Sequence, residues 1–404
     1  MRCAENDIAA LDASDPLAPA RNAFDLPENL IYLDGNSLGP PSRATLSAVA
    51  TTMNSEWRED LIRSWNTSDW IGLPKRCGQK IAKLIGVQRD EVIVCDSVSV
   101  NIFKLASALL AKSSGAIVVH ADEFPTDAYI AIGLANQIGA DFRRIEETAG
   151  PEALNETDGI IIKSLVHYKT AAVANISDWE KAARQKGVSI IWDLSHAAGA
   201  LDLNLAVDGA EFAVGCGYKY LNGGPGAPAF IFVKKERASD LTQPLSGWMG
   251  HKKPFDFSDD YAPADGIERF LCGTPSIISM TALNAALDIF DDHSMAAIEK
   301  KARGLSDLFA EGCAELGLAP DAPPAEERRG AHLCFAHDGA YEIVQTLIKR
   351  DVIGDFRTPN FMRFGFSPLF LRYQDVSNAV SILKEILDTE EWRKPEYAMR
   401  AKVT

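Results

Sequence analysis

No feature of this chain narrows its fold more than the alternation between about residues 45 and 285, where short β-rich apolar runs are separated by stretches of helical period. The strand candidates are EVIVC (91–95), AIVVH (116–120), DFRRI (141–145), GIIIK (159–163), SIIWD (189–193), FAVGC (212–216) and APAFIFV (227–233). Between them lie stretches such as SVNIFKLASALLAK, whose Ile102, Leu105, Ala106, Leu109 and Leu110 fall on one helical face. Strands that alternate with helices join through crossovers, so the pattern predicts an α/β domain on about seven mostly parallel strands.

The character changes after FDFSDDYAPADG (255–266), a polar, turn-rich stretch that predicts no regular element. A long helical pattern starts near Met295, followed by the Pro-rich APDAPPAEERRG, a strand candidate AHLCF, a helix candidate AYEIVQTLIKRD, a strand candidate NFMRFGF and a final helix. This reads as a smaller α+β domain. The expected division is an N-terminal segment, 1–45, packing with the small domain, a large domain, 46–290, and the small domain, 291–404.

With 47% hydrophobic and 24% charged residues over 404 positions, the chain has the composition of a globular protein with a sizeable core. Its 41 basic and 56 acidic residues leave a net charge of −15, which disfavours nucleic acid and anionic membrane as partners. An anionic ligand must then be caught by local donors. Seven scattered cysteines (Cys3, Cys77, Cys95, Cys216, Cys272, Cys313, Cys334) have no C-x-x-C spacing, so neither a disulfide framework nor a zinc site is expected. The N-terminus is acidic and no run approaches 18 uninterrupted apolar residues, which points to the cytoplasm.

In an open parallel sheet, ligands gather at the carboxyl ends of the strands. SIIWD delivers Asp193 there and, one short turn on, His196; the next strand candidate delivers Tyr218 and Lys219 in GCGYKYLNGGPG. Asp193 and Lys219 are 26 residues apart, about one crossover, and should meet above neighbouring strands. A carboxylate and an amine in one crevice suit pyridoxal phosphate: the lysine condenses with its aldehyde and the aspartate keeps its pyridine nitrogen protonated. A plain ion pair is the competing account. The Asp-x-x-His followed one strand later by a lysine in a Gly-rich turn favours the cofactor.

CDSVSVNIF (95–103) offers a phosphate the hydroxyls of Ser97 and Ser99 and the free amides of a helix start, the geometry that also serves simple capping. EFPTD (123–127) places Phe124 and Asp127 at the same edge, a ring to stack on the pyridine and a second acid, with core packing equally open for Phe124. Arg357 and Arg363 frame TPNFMRFGFSP. An arginine among Phe361, Met362, Phe364 and Phe366 needs a carboxylate, either from the protein or from an amino-acid substrate held in bidentate fashion. Trp65, Trp70 and Trp248 suit an aromatic ligand or the core. His332 and His337 lack metal-like spacing and read as structural, and no metal site is expected.

With these residues placed, the sequence resembles the kynureninases, homodimeric fold-type-I pyridoxal phosphate enzymes with the PLP-dependent transferase fold, and its bacterial members most. The motifs that carry the resemblance are YLDGNSLGP (32–40), LIRSWN (61–66), FPTDAY (124–129), WDLSHAAGA (192–200), GCGYKYLNGGPG (215–226), PLSGWMGH (244–251), FLCGTPSI (270–277) and VIGDFRTPNFMRFGFSPL (352–369), spread over nearly the whole chain. The resemblance implies that Lys219 holds the cofactor covalently, that Asp193 partners the pyridine nitrogen with Asp127 close by, that Phe124 stacks and that His196 tunes the cofactor. It implies a phosphate site from Val98, Ser99, Ser164 and Tyr218, with Trp248 and Thr274 reaching in from the second subunit. Arg363 resembles the clamp on the substrate α-carboxylate, and Ser37 and Trp65 the pocket for its aromatic ketone.

The activity so implied is hydrolysis of the Cβ–Cγ bond of L-kynurenine to anthranilate and L-alanine, in tryptophan catabolism. Thr274 stands where animal relatives carry asparagine and bacterial ones threonine, which favours L-kynurenine over 3-hydroxykynurenine. Tyr218 has two roles open to it, proton relay at the carbonyl or phosphate ligand. Asp-x-x-His plus lysine is shared with aminotransferases and cysteine desulfurases, the alternative enzymes. A regulator that binds the cofactor without turnover would add a basic DNA-binding module, which this sequence lacks.

Overall fold

The structure, a computed structural model, describes residues 5–323 and 327–400; Cys3 lies outside them. The strands among the described residues are β1 (Ile31–Tyr32), β2 (Val92–Val94), β3 (Ala116–His120), β4 (Phe142–Ile145), β5 (Asp158–Ser164), β6 (Ser189–Asp193), β7 (Phe212–Gly215), β8 (Phe230–Val233), β9 (His332–Ala336), β10 (Val352–Ile353), β11 (Asp355–Arg357) and β12 (Phe361–Gly365).

All seven strand candidates of the first part of the chain join one sheet, in the order β2-β8-β7-β6-β5-β3-β4. The run from β7 to β4 is parallel throughout. Only β8 runs against its neighbours, β7 and β2. The cause is local: the Gly-rich link between β7 and β8 contains no helix among its residues, and a parallel return needs a crossover.

Side chains alternate cleanly between two cores. Ile117, Val119, Ile160, Ile162 and Ile191 pack with the helices Val98–Leu110 and Pro125–Ile138, whereas Val118, Ile161, Ile190 and Trp192 face the layer that includes Leu73–Ile85 and Ile176–Lys186. Strands buried on both faces explain why they read as continuous apolar runs. The direction of the crossovers reverses between β3 and β5, so the loops after these strands flank a switch point, the place where such sheets bind ligands.

A second, antiparallel sheet has the order β11-β12-β9 and packs on an aromatic cluster of Phe309, Phe335, Phe364 and Phe366. Its register sets Arg363 opposite Asp355 on one side and Cys334 on the other. The helix patterns of this region fold as expected, as Met295–Glu315, Ala340–Lys349 and Tyr373–Asp388, and residues 255–265 carry no helix or strand. The N-terminal β1 pairs in parallel with β10, which brings residues 31–39 against the second sheet.

Candidate active site

Four loops at the carboxyl ends of the central strands, with the start of helix Val98–Leu110, enclose a chamber of about 150 Å³. After β6, the Asp193 carboxylate accepts from the Ser195 amide (2.8 Å) and hydroxyl (2.6 Å), which fixes its orientation. Burial pushes its carboxyl up, partly offset by these bonds and by Lys219. After β7, Lys219 donates from Nζ to His196 Nε2 at 3.0 Å. An ammonium can only donate, so with Lys219 protonated the imidazole carries its proton on Nδ1, which has no partner among the described residues. Burial, and then the Lys219 charge, hold His196 well below its usual range.

The loop after β3 adds Phe124 and Asp127. Phe124 is half-buried, meets the ring of Tyr168 edge-on at 5.4 Å and lies 5.8 Å from Lys219 Nζ; it lines the chamber instead of filling the core. Asp127 is 1% exposed and neither of its oxygens has a partner among the described residues. Burial and the neighbouring Asp193 and Glu123 push its carboxyl well above the ordinary range.

Ser164 ends β5, with its hydroxyl (2.5 Å) and amide (2.9 Å) both donating to Glu123. Val98 and Ser99 open the helix Val98–Leu110, whose Ser97 caps the Val100 amide. The stretch after β1 lies against this turn: a Cβ on Gly39 would stand 2.3 Å from the Lys219 carbonyl, and the Gly39 amide donates to the Tyr218 carbonyl at 2.8 Å.

Arg363 is buried and does meet a protein carboxylate. Its Nε and Nη2 pair with the two Asp355 oxygens at 2.9 and 2.6 Å, Nη2 also donates to Ser37 Oγ at 3.0 Å, and Nη1 donates to the Tyr168 carbonyl at 3.1 Å. Of the two carboxylate sources left open by the sequence, the internal one is filled. Tyr168 lines the chamber, so the guanidinium adjoins it. The Ser37 hydroxyl donates to Asp355 at 2.9 Å and receives Arg357 Nη2 at 3.3 Å.

Three expected residues stand apart from the chamber. Trp65 packs edge-on against the buried Trp70 (5.9 Å), Trp248 contacts Phe255 and Phe257 (5.6 and 6.2 Å), and Thr274 is exposed. Conversely, the structure adds residues that the sequence did not single out. His332, read as structural, is fully buried with its ring 5.1 Å from His196, and burial and then Arg363 push its pKa down to about 3. Glu123 and Tyr168 were missed although they adjoin recognised residues.

Behind Ser164, a further cavity of about 410 Å³ contains Lys163, whose Nζ lies 4.6 Å from the Trp179 ring and 3.3 Å from His120 Nδ1. Burial lowers the Lys163 pKa to about 8.

Sequence relatives resolve the family. The chain is 45% identical over 411 residues to a kynureninase of Burkholderia mallei, covering 98% of this chain and 99% of that one. The chain belongs to the kynureninase family. A kynureninase of Pseudomonas fluorescens is 42% identical over 412 residues, with 99% of each chain covered. Residues 298–383 match the family model for the kynureninase C-terminal domain. Among solved structures, a cysteine desulfurase from Escherichia coli superposes with a TM-score of 0.79 at 18% identity, covering 92% of this chain and 98% of that one. A cystine C–S lyase gives 0.78 at 17%, covering 89% and 98%. These likenesses show the fold, the fold-type-I architecture of pyridoxal phosphate enzymes.

Proposed function

We propose that this chain is a pyridoxal phosphate enzyme that hydrolyses the Cβ–Cγ bond of L-kynurenine to anthranilate and L-alanine. The observation that carries the reading is the chamber itself: the Lys219 amine beside two buried carboxylates, of which Asp127 lacks any donor. Asp193 and Asp127 would hold the protonated pyridine nitrogen of the cofactor, which would give Asp127 the donor it lacks. The Phe124 ring offers a stacking face, and the start of helix Val98–Leu110 offers amide donors for a phosphate. When bound, the cofactor acts as an electron sink for the carbanion formed next to the substrate's amino group.

The protein's part is to hold the acid, the base and the substrate in register. In this reading Lys219 takes the α-proton and returns it, with His196 as its hydrogen-bonded neighbour. Burial pushes the Tyr218 hydroxyl above its ordinary range, so it remains a proton donor. That suits delivery of a proton to the γ-carbonyl oxygen. Arg363 anchors the α-carboxylate, and Ser37 steadies both the arginine and its partner Asp355.

We infer further that the active unit is a homodimer. Leu46 (51% exposed), Trp57 (51%), Leu61 (59%) and Ile62 (77%) leave a large apolar surface open to solvent, beside a cavity of about 1060 Å³ that backs onto Gly39 and Gly223. Trp65, Trp248 and Thr274, which stand off their own chamber, would complete that of the partner subunit. No helix among the described residues is long and apolar enough to cross a membrane. The cytoplasm is the compartment we propose, in keeping with the six cysteines among the described residues, which are unpaired.

A desulfurase reading is disfavoured by Cys334 and Cys313, both buried with their thiols pushed up by desolvation. The deciding experiment is anthranilate fluorescence after mixing cofactor-loaded protein with L-kynurenine, with 3-hydroxykynurenine in parallel. Release of anthranilate, faster from kynurenine than of its hydroxylated counterpart, is expected. No product from either compound with cofactor bound would overturn the proposal in favour of an aminotransferase.

A further inference from the structure

The residue offered for the substrate's carboxylate, Arg363, is already neutralised. Asp355 faces it across the β11–β12 pair, takes the Nε–Nη2 side of the guanidinium in two bonds, and shares its burial, with side-chain exposures of 2% and 3%. Nη1 is partly used by the Tyr168 carbonyl. A neutral ion pair directs hydrogen bonds well but draws a distant carboxylate weakly.

A second guanidinium changes the count. Arg357 also pairs with Asp355, so two arginines share one carboxylate and the group carries an excess of one positive charge. The other acid beside them is Asp34. Burial and then Asp355 push its carboxyl up to about 7, so at neutral pH it cancels only about half of the excess. Arg357 is 38% exposed on its side chain, yet its Nε is shut off from water with no partner among the described residues.

The group adjoins the chamber: Arg363 Nη1 donates to the carbonyl of Tyr168, which lines it, and Arg357 shares Asp355 and Ser37 with Arg363. The Tyr218 hydroxyl, raised chiefly by burial, is drawn back by Arg357, and the His196 ring, lowered by burial and Lys219, is lowered further by both arginines.

We infer that Arg357 supplies the uncompensated positive charge that selects a substrate with an α-carboxylate, while the Arg363–Asp355 pair supplies direction. This rests on the reading of the chamber as an amino-acid site and assigns the charge within it. Arg357 sits one strand from Arg363 and shares Ser37 with it, so one carboxylate can be served by both.

The test is equilibrium binding to the cofactor-loaded protein, read from the cofactor's absorbance, with L-alanine and with ethylamine, which has the amine but no carboxylate. Arg357→Gln is expected to weaken L-alanine by about 10- to 100-fold and to leave ethylamine within about twofold, with Arg357→Lys recovering most of the loss. Equal weakening of both ligands, or none, would overturn the assignment.

If Arg357→Gln fails to fold, Arg357→Met gives the same test at a side chain that is 38% exposed: L-alanine should weaken while ethylamine stays within about twofold, and equal weakening or none would overturn the assignment. Binding of alanine requires no carbon–carbon cleavage. Failure to release anthranilate, with alanine bound normally, would therefore sink the proposed activity and leave this assignment standing.

Discussion

Asp127 and Asp193 share one buried chamber on unequal terms: Asp193 is held by two bonds from Ser195, while neither oxygen of Asp127 has a partner among the described residues. The charge on Asp193 is, after burial itself, the largest cause that raises the Asp127 carboxyl. The inequality predicts different consequences for the two amides. Asp193→Asn should lower turnover by about 100-fold or more, since the fixed acid is lost. Asp127→Asn should instead stabilise the cofactor-free protein at pH 8, by about 1 kcal/mol, because it removes like-charge repulsion from a dry site. Urea unfolding of both apo variants checks this; an Asp127→Asn protein less stable than its parent would refute the account.

Lys219→Ala tests the amine. Turnover is expected to fall by at least about 1000-fold, while pyridoxal phosphate still binds through the remaining contacts. Added methylamine should restore part of the activity. Activity near the parent's level would remove Lys219 from the chemistry.

Tyr218→Phe separates the two roles open to the hydroxyl. We expect carbon–carbon cleavage to slow by about 100-fold while exchange of the α-proton, followed by NMR in deuterated water, stays within about threefold. Slowing of both alike, together with weaker cofactor retention, would make Tyr218 a phosphate ligand.

Lys163 predicts a pH effect outside the chamber. Its ammonium keeps its proton to about pH 10.5 when unfolded but sheds it near 8 in the fold. Between these values unfolding takes up a proton, so stability rises with pH, by up to roughly 3 kcal/mol, and below pH 8 the buried charge costs that much. Lys163→Met should be the more stable protein at pH 7 and should lose this rise. Urea midpoints at pH 7, 8 and 9.5 test it, and parallel profiles for the two proteins would count against it.

The sheet was legible because strands buried on both faces must be apolar along their whole length, and all seven were found. The antiparallel return of β8 was also implicit in a link with no room for a crossover helix. The carboxylate that meets Arg363 was within reach of the sequence, since a hairpin turning at residues 358–360 sets 363 opposite 355. What could not be read was contact between distant segments. His332 touches His196 only because the second sheet docks beside the first, and no local pattern records that. Trp65, Trp248 and Thr274 pose a different problem: they stand apart from the chamber of their own chain, and the proposed second chain is what would bring them to one.

The stretch that follows β1 works as a gauge. Ser37 touches Arg363, and two residues later Gly39 is bonded to the backbone of Tyr218 beside Lys219. Two residues reach at most about 7 Å, so the gap between the guanidinium and the lysine turn is set by a span of chain hardly longer than an amino acid's own backbone. The second sheet cannot draw away from the first without pulling this thread taut. The distance between the proposed carboxylate clamp and the lysine turn is thereby written into covalent bonds, and not left to the packing of one sheet on another.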